Sequence, residues 1–480
     1  MTLKVLKKRW PVALILLALL ALACSTSQFY TSSPADITLP PSNITAVPPT
    51  PALDPATSTS VLVAPPATLP PTAPAAPTAP VAPTATAPAG PPPTPSALQA
   101  KLLDEIWQTI NDNYLYRDFN GLDWNAIHAE YAQRIATGMT DDQFYQAMFE
   151  MVQRLGDNHS TFFSPAQAKQ MDEEYAGQYD YVGIGVVHTP VPERKLLSVV
   201  LVFPGSPAEQ AGIRPHDSIL AVDGQPIFDA QGNRLNLLRG SAGSTIQVTV
   251  QTPGQPPRVL PVTRQQVNVE MPVPHQIYTT PSGKRIGYLL IPTFDEGGIG
   301  ARVGQTIGEM SASGPLDGLI IDNRHNTGGT SQEMLDTLSY FVSGPAGYFV
   351  HKGAPETVST AGNDIAGSLK IPLVVLVGKD TVSFGEIFSG ILEDQERAFL
   401  IGETTQGNVE LLSVFNFSDG SRAWIATGTF RPLNHPDQLW EKVGVQPDLT
   451  VASQWDQVTQ DNDPLIQAAL HHVDEITPSP

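Results

Sequence analysis

Cysteine is all but missing. Cys24 is the only one in 480 residues, so no disulfide can form within the chain and folding must rest on its core alone. Positive charge is scarce as well. Lys and Arg number 27 against 47 Asp and Glu, a formal net charge of −20, which argues against nucleic acid as a partner because phosphate binding needs a basic surface. The His residues are scattered and no Cys/His cluster has zinc-ligand spacing, so neither a metal nor another cofactor is expected. The amino-terminal apolar run, Pro11 to Ala23, is too short for a comfortable membrane span.

What that run does resemble is an export signal. Lys4, Lys7, Lys8 and Arg9 precede it, and Ala21-Leu22-Ala23 supplies small residues for a cut. Cys24 directly behind that cut looks like a bacterial lipobox, in which the thiol is diacylated and holds the protein to the membrane outside the cytoplasm. An uncleaved anchor is the alternative. Residues 1–24 are therefore read as signal and lipidation site. Residues 25–96 are a low-complexity stretch rich in Pro, Ala and Thr, as in PPTAPAAPTAPVAPTATAPAGPPPTP, too poor in apolar bulk to fold and biased by proline toward extended chain. They read as a stalk.

From Ala97 the composition changes. Leu102, Leu103, Ile106, Trp107 and Ile110 repeat at helical spacing, as do Phe144, Met148, Met151, Val152 and Leu155, giving a helical region over 97–176. Its periodicity stops in the polar turn LGDNHSTFFSP, where His159 taken alone reads as a solvated loop residue. Over 177–266 short β-like runs (Leu197 to Phe203, Ser218 to Val222, Thr245 to Val250) alternate with Gly and Pro turns. VGIGVV and GSPAEQAGIRPHDSILAVDGQPI within this stretch resemble a PDZ domain of the kind found in bacterial proteases. That resemblance implies that Gly183, Ile184, Gly185 and Val186 form a loop whose N–H groups hold a peptide's terminal carboxylate, the peptide adding a strand to the sheet edge. Most such domains read Gly-Asp where this chain has His216-Asp217.

Strands and helices then alternate over 267–455: Ile286 to Ile291, a helix from about Gly300, Leu316 to Asp322, a helix through Met334 to Phe341, and the apolar run Leu373 to Val377. This rhythm implies a largely parallel sheet covered by helices. Ser383 falls between the last strand and a helix bearing Ile387, Phe388, Ile391 and Leu392. There a hydroxyl can stand at the sheet edge facing the free N–H groups of a first helical turn. Ser383 with Glu386 also fits a capping box, in which the serine only ends a helix. Residues 456–480 read as a carboxyl-terminal tail.

Four blocks in order, LGDNHSTFFSP, the PDZ segment, GLIIDNRHNTGG and TVSFGEIFSGILEDQERAFLIGETTQG, closed by GVQPDL, resemble the carboxyl-terminal processing (tail-specific) serine proteases. The resemblance implies an N-terminal helical region, a PDZ-like β domain and an α/β protease core. It further implies Ser383 as nucleophile, with oxyanion donors from Gly328, Gly329 and Phe384, and protein or peptide tails as substrates. One position departs from the family. Its catalytic lysine lies about twenty-five residues after the serine, and Asn408 stands there in QGNVE. Lys379 and Lys442 lie nearby in sequence but match no motif. The tricorn-like branch instead uses a His from the helical-domain turn and a carboxylate near the closing segment, places held here by His159 and Glu441, with Asn158 where that branch has a serine. Glu441 beside Lys442 also reads as a surface pair. Asn408 leaves a second reading open, a catalytically inactive peptide-binding lipoprotein.

Overall fold

A computed structural model describes residues 95–157, 159–176, 180–268 and 270–476. The expected signal, Cys24, most of the stalk and Asn158 lie outside the described residues.

Four helices are described in the helical region, the last being Pro165–Ala176, and each of the first three is begun by a side chain that satisfies an otherwise orphaned N–H. Ser96 caps Ala97–Asn113, Asp123 caps Trp124–Ala136, and Thr140 with Gln143 makes a reciprocal capping box on Asp141–Gln153. The periodic residues Leu102, Leu103, Ile106, Ile110, Phe144, Met148, Met151 and Val152 are buried together. Their cluster also takes in Phe162, Phe417, Ala423, Ile425 and Ala426, so the helical region shares a core with strands from the far end of the chain. Strand Thr161–Phe163 pairs antiparallel with Arg422–Pro432 (Thr161 opposite Trp424), and Ser160 Oγ accepts the Ala426 N–H at 3.1 Å. The turn carrying His159 is thereby fixed to a strand more than 260 residues away.

The PDZ-like region orders its main strands as Val186–Val191, Leu196–Val202, Ser218–Val222, Thr245–Gln251 and Arg258–Thr263, around buried Ile184, Leu197, Val199, Ala208, Ile213, Ile219, Val248 and Val250. The His216-Asp217 departure has a physical account. His216 holds a left-handed backbone (φ 73°) that would suit glycine, and its ring stacks on Trp455 with centroids 3.8 Å apart. Its Nδ1–H donates to the Trp455 carbonyl (2.8 Å), and Trp455 Nε1–H donates to the Val199 carbonyl (2.8 Å). These contacts fasten the β domain to the carboxyl-terminal segment.

The core sheet runs His275–Thr279, Arg285–Leu290, Gly318–Asp322, Leu373–Val377, Phe399–Gly402, Leu449–Thr450, parallel from the second strand on. Leu319, Ile321, Val375 and Val377 point to one face under the helices Ile299–Ser311, Ser331–Leu338 and Phe384–Asp394, while Ile320, Val374 and Leu376 point to the other. Burial on both faces explains why these strands read as unbroken apolar runs. The second face is covered by a helix, Pro464–Ile476, through Leu465, Ile466, Ala469 and Val473. This corrects the reading of 456–480 as a tail: an apolar stripe at helical spacing makes most of it a layer of the core. A five-stranded antiparallel sheet, absent from the sequence reading, joins Gly344–His351, Glu356–Thr360, Leu411–Asn416, Arg422–Pro432 and Thr161–Phe163.

Candidate active site

Ser383 ends the turn between strand Leu373–Val377 and helix Phe384–Asp394, with φ 55° and ψ −124°. A non-glycine residue at positive φ is strained and persists only where neighbours hold it. The neighbours are identifiable. Val382 N–H donates to the Asn326 carbonyl (2.9 Å), and Ser383 N–H donates to Glu386 Oε1 (3.1 Å). The capping-box reading is thus realised in its Glu386 half, on the residue that stands between the strand and the helix.

The HNTGG loop lies directly over this corner. A Cβ at Gly328 (φ 83°) would come within 2.7 Å of Ser383 Cβ and 3.0 Å of the Phe384 nitrogen, so only glycine leaves that space open. At Gly329 (φ 144°) a Cβ would collide with the Phe294 backbone at 2.0 Å. The expectation for Gly328 needs correction: its N–H donates to Asn326 Oδ1 at 2.9 Å and is not a free oxyanion donor. Asn326 competes for that hydrogen because Asn323 holds its amide in place (2.8 Å). Phe384 N–H heads a helix, where no helical carbonyl is available to it, and remains the donor beside the serine.

His159 is buried and meets Glu441: Nε2 to Oε1 is 3.1 Å. Asp157 Oδ1 fixes the turn by accepting the His159 and Ser160 N–H groups. The solvated-loop reading of His159 and the surface-pair reading of Glu441 both fall, since Glu441 faces inward to the imidazole and its Oε2 accepts the Val409 N–H (2.9 Å). A second carboxylate, Glu410, missed in the sequence, puts Oε2 3.7 Å from His159 Nε2 while Tyr116 OH donates to its Oε1. Burial opposes charge on the imidazole, but Glu441 and then Glu410 outweigh it and raise the His159 pKa. Burial and the Glu441 charge push the Glu410 carboxyl up to about 7 against the Tyr116 hydrogen bond. His159 Nε2, Glu410 and Glu441 lie close enough to serve together as ligands for a cation.

Between the serine and the histidine runs the segment Gly407 to Glu410. Glu386, fully buried, accepts Ser383 N–H and Asn408 N–H (2.8 Å) on Oε1, and Gly407 N–H (2.6 Å) and Thr405 Oγ1 on Oε2. Val409 then reaches Glu441, and Glu410 faces His159. Among the described residues no hydrogen bond joins Ser383 to His159 directly; the two are linked through this segment. Asn408 is half-buried and held by its backbone. Lys379 is 76% exposed at its side chain and paired with Glu403, and Lys442 is exposed, so neither replaces the family lysine.

In the PDZ-like region Gly185 (φ 82°) turns between strands Asp180–Gly183 and Val186–Val191, and Ile184 is buried in the domain core. The Tyr181 phenol lies against the N–H groups of Gly185 and Val186, the donors expected to take a carboxylate, and Arg239 stacks on its ring at 4.4 Å. A groove of about 660 Å³ extends from Tyr181, Ile184 and Val186 to Thr293, His325 and Thr327 of the core, one residue from Gly328.

Comparison with known proteins agrees with this layout. Residues 285–451 match Peptidase family S41, residues 95–153 the Tricorn protease C1 domain and residues 198–252 a PDZ domain. The chain is 30% identical over 390 residues to a carboxyl-terminal-processing protease of Synechocystis, covering 78% of this chain and 88% of that one. It is 30% identical over 359 residues to the chloroplastic carboxyl-terminal-processing peptidase 2 of Arabidopsis thaliana, covering 72% and 67%. Among solved structures, a photosystem II D1 C-terminal processing protease aligns with a TM-score of 0.55 at 28% identity, covering 74% of this chain and 94% of that one.

Proposed function

This chain belongs to the carboxyl-terminal-processing proteases and is a serine-type peptidase; on that premise we propose that Ser383 is its nucleophile, His159 its base and Glu441 the carboxylate that orients the base. The observation that carries this reading is the His159–Glu441 contact, with Glu441 itself clamped by Val409 N–H, in a chain whose lysine position is Asn408. With its proton on Nε2 and donated to Glu441, a neutral imidazole keeps a lone pair on Nδ1 for the serine proton. Ser383 Oγ then attacks the peptide carbonyl, and the oxyanion meets Phe384 N–H with Gly329 as second donor. Collapse returns the proton to the leaving amine and leaves an acyl-enzyme that water hydrolyses. A serine-directed phosphonate supplied with peptide should label Ser383 and no other serine. Failure to label under every peptide condition favours instead an inactive peptide-binding protein, the reading that Asn408 and the missing direct Ser383–His159 hydrogen bond support.

The groove from Ile184 to Thr327 supports guidance by the β domain: a substrate's terminal carboxylate is held at Gly183 to Val186 while its upstream chain reaches the serine. The carboxylate must displace the Tyr181 phenol. Peptides with a free apolar carboxyl terminus should therefore bind more tightly than their amides, and Tyr181→Phe should strengthen the free-acid peptide by removing a competitor. Gly185→Leu should weaken it, since any Cβ there meets Ser206 at 2.4 Å. Equal affinity for acid and amide in isothermal titration would remove carboxylate capture.

The protein acts outside the cytoplasm, tethered by lipid on Cys24, with the Pro-rich stalk as spacer. Basic residues, a short apolar run and Cys24 after Ala23 support this placement. Cys24→Ser should leave the amino-terminal peptide without added lipid mass and release the protein from the membrane fraction; unchanged mass and fractionation would remove the anchor.

A further inference from the structure

We infer that His159, Glu410 and Glu441 form a binding site for a divalent cation of the zinc type, and that its occupation switches the peptidase off. The inhibitory half rests on His159 being the base; the binding half does not. One donor atom from each residue, His159 Nε2, Glu410 Oε2 and Glu441 Oε1, lies within 4.8 Å of the other two. Nε2 is 3.1 Å from Glu441 Oε1 and 3.7 Å from Glu410 Oε2. Zinc bond lengths of about 2.0–2.2 Å place tetrahedral ligands roughly 3.3 Å apart, so the shorter of these contacts would open slightly and the longer would close by a few tenths of an ångström.

Two further observations separate this cluster from an ordinary acidic patch. Glu410 is fully buried at its side chain, yet its Oε2 has no hydrogen-bond partner and faces the imidazole. A buried carboxylate oxygen left without a hydrogen bond is costly, and a cation would satisfy it more fully than the imidazole 3.7 Å away. Each carboxylate is also gripped from behind through its other oxygen, Glu410 by Tyr116 OH and Glu441 by Val409 N–H. Outer partners of this kind aim ligand oxygens at a metal. One imidazole and two carboxylates suit zinc, whereas calcium and magnesium prefer all-oxygen shells. Glu441 keeps 12% of its side chain exposed, which gives the ion a way in, and the fourth position is left to water.

Inhibition follows from the tautomer. A neutral imidazole that ligates through Nε2 carries its proton on Nδ1. The proton moves from Nε2 to Nδ1 by way of solvent, with no net gain or loss. The lone pair that would take the serine proton is then gone.

The test is calorimetric titration of chelator-stripped full-length protein with Zn²⁺, beside Mg²⁺ and Ca²⁺ controls, with thermal melts on every variant. Zn²⁺ should bind one tight site. Glu410→Gln should weaken that site at least tenfold, and Tyr116→Phe, which keeps all three ligands, about tenfold. Unchanged zinc affinity in both folded variants overturns the site, and so does equally tight Mg²⁺ binding. Peptidase assays read the second half: zinc should abolish wild-type activity over the range in which it binds. Full activity at zinc saturation overturns the inhibition while the site stands. If no peptidase activity is found at all, the proposed catalytic roles fail and the calorimetry still decides the site.

Discussion

Ser383→Ala and His159→Ala should each lower kcat/KM by roughly 10⁴–10⁶-fold, and the double variant should lose little more. In the proposed roles the two groups act in one step: without the imidazole the hydroxyl keeps its proton, and without the hydroxyl the imidazole has nothing to activate. Truncating His159 also empties a buried space between Asp157, Glu410 and Glu441, so the comparison needs denaturation curves on each variant. Ser383→Ala is the cleaner partner, because Glu386 grips its main chain and not its hydroxyl. A His159→Ala enzyme within tenfold of wild type would overturn the imidazole as base. A lysine base would then be required, but Lys379 is solvent-exposed and paired with Glu403, and Lys442 is exposed. Asn408→Lys puts the family residue in its family place. Activity gained from an inert parent would mark a decayed lysine enzyme; no gain over an active parent fits the histidine arrangement.

The parts legible in the sequence were those with short-range periodicity or a contiguous motif. Leu102 to Ile110, the apolar runs of the parallel sheet and the serine corner each announce themselves within about ten residues. The antiparallel sheet did not, because its defining pairs, such as Thr161 with Trp424, join segments too distant for any local pattern to couple. Glu410 escaped for the same reason. It follows Asn408 by two residues and reads as one more polar position before strand Leu411–Asn416, and only the fold carries it to a histidine some 250 residues earlier. Gly328 misled in the opposite direction. The resemblance implies an oxyanion donor there, but whether its N–H is free depends on which way the Asn326 amide turns, and Asn323 decides that. His159 and Glu441 came from resemblance alone; local reading favoured solvent for both. What reversed this is the shared burial of the helical cluster with Ala423, Ile425 and Ala426, which brings the His159 turn onto the core.

Glu386→Gln should produce the largest effect of any substitution that changes no proposed catalytic group. The carboxylate is fully buried and accepts from four donors, two on each oxygen: Ser383 and Asn408 N–H on one, Gly407 N–H and Thr405 Oγ1 on the other. Burial pushes its pKa upward, while the Thr405, Asn408, Gly407 and Ser383 donors pull the other way. A glutamine offers one oxygen and one NH₂: turned one way, its NH₂ faces the Ser383 and Asn408 N–H groups, and turned the other it faces Gly407 N–H and the Thr405 hydroxyl, which can turn to accept. One or two donors are therefore stranded, and at about 1–3 kcal/mol for each buried group the total is roughly 1–6 kcal/mol. Typical folds hold about 5–15 kcal/mol, so the variant should still fold, with its denaturation midpoint clearly lowered. Function should suffer more than stability. Ser383 keeps its strained φ of 55° because Glu386 and Asn326 hold the flanking N–H groups, and Asn408 to Glu410 keep their register toward His159 through the same carboxylate. With that grip halved, kcat should fall at least a hundredfold while peptide affinity at the Gly183–Val186 loop, built on separate strands, stays unchanged. A merely structural Glu386 would lower the midpoint and leave kcat per folded molecule intact. That outcome, or a midpoint within about 0.5 kcal/mol of wild type, the range of an ordinary surface substitution, would remove Glu386 as the residue that couples the serine to the histidine.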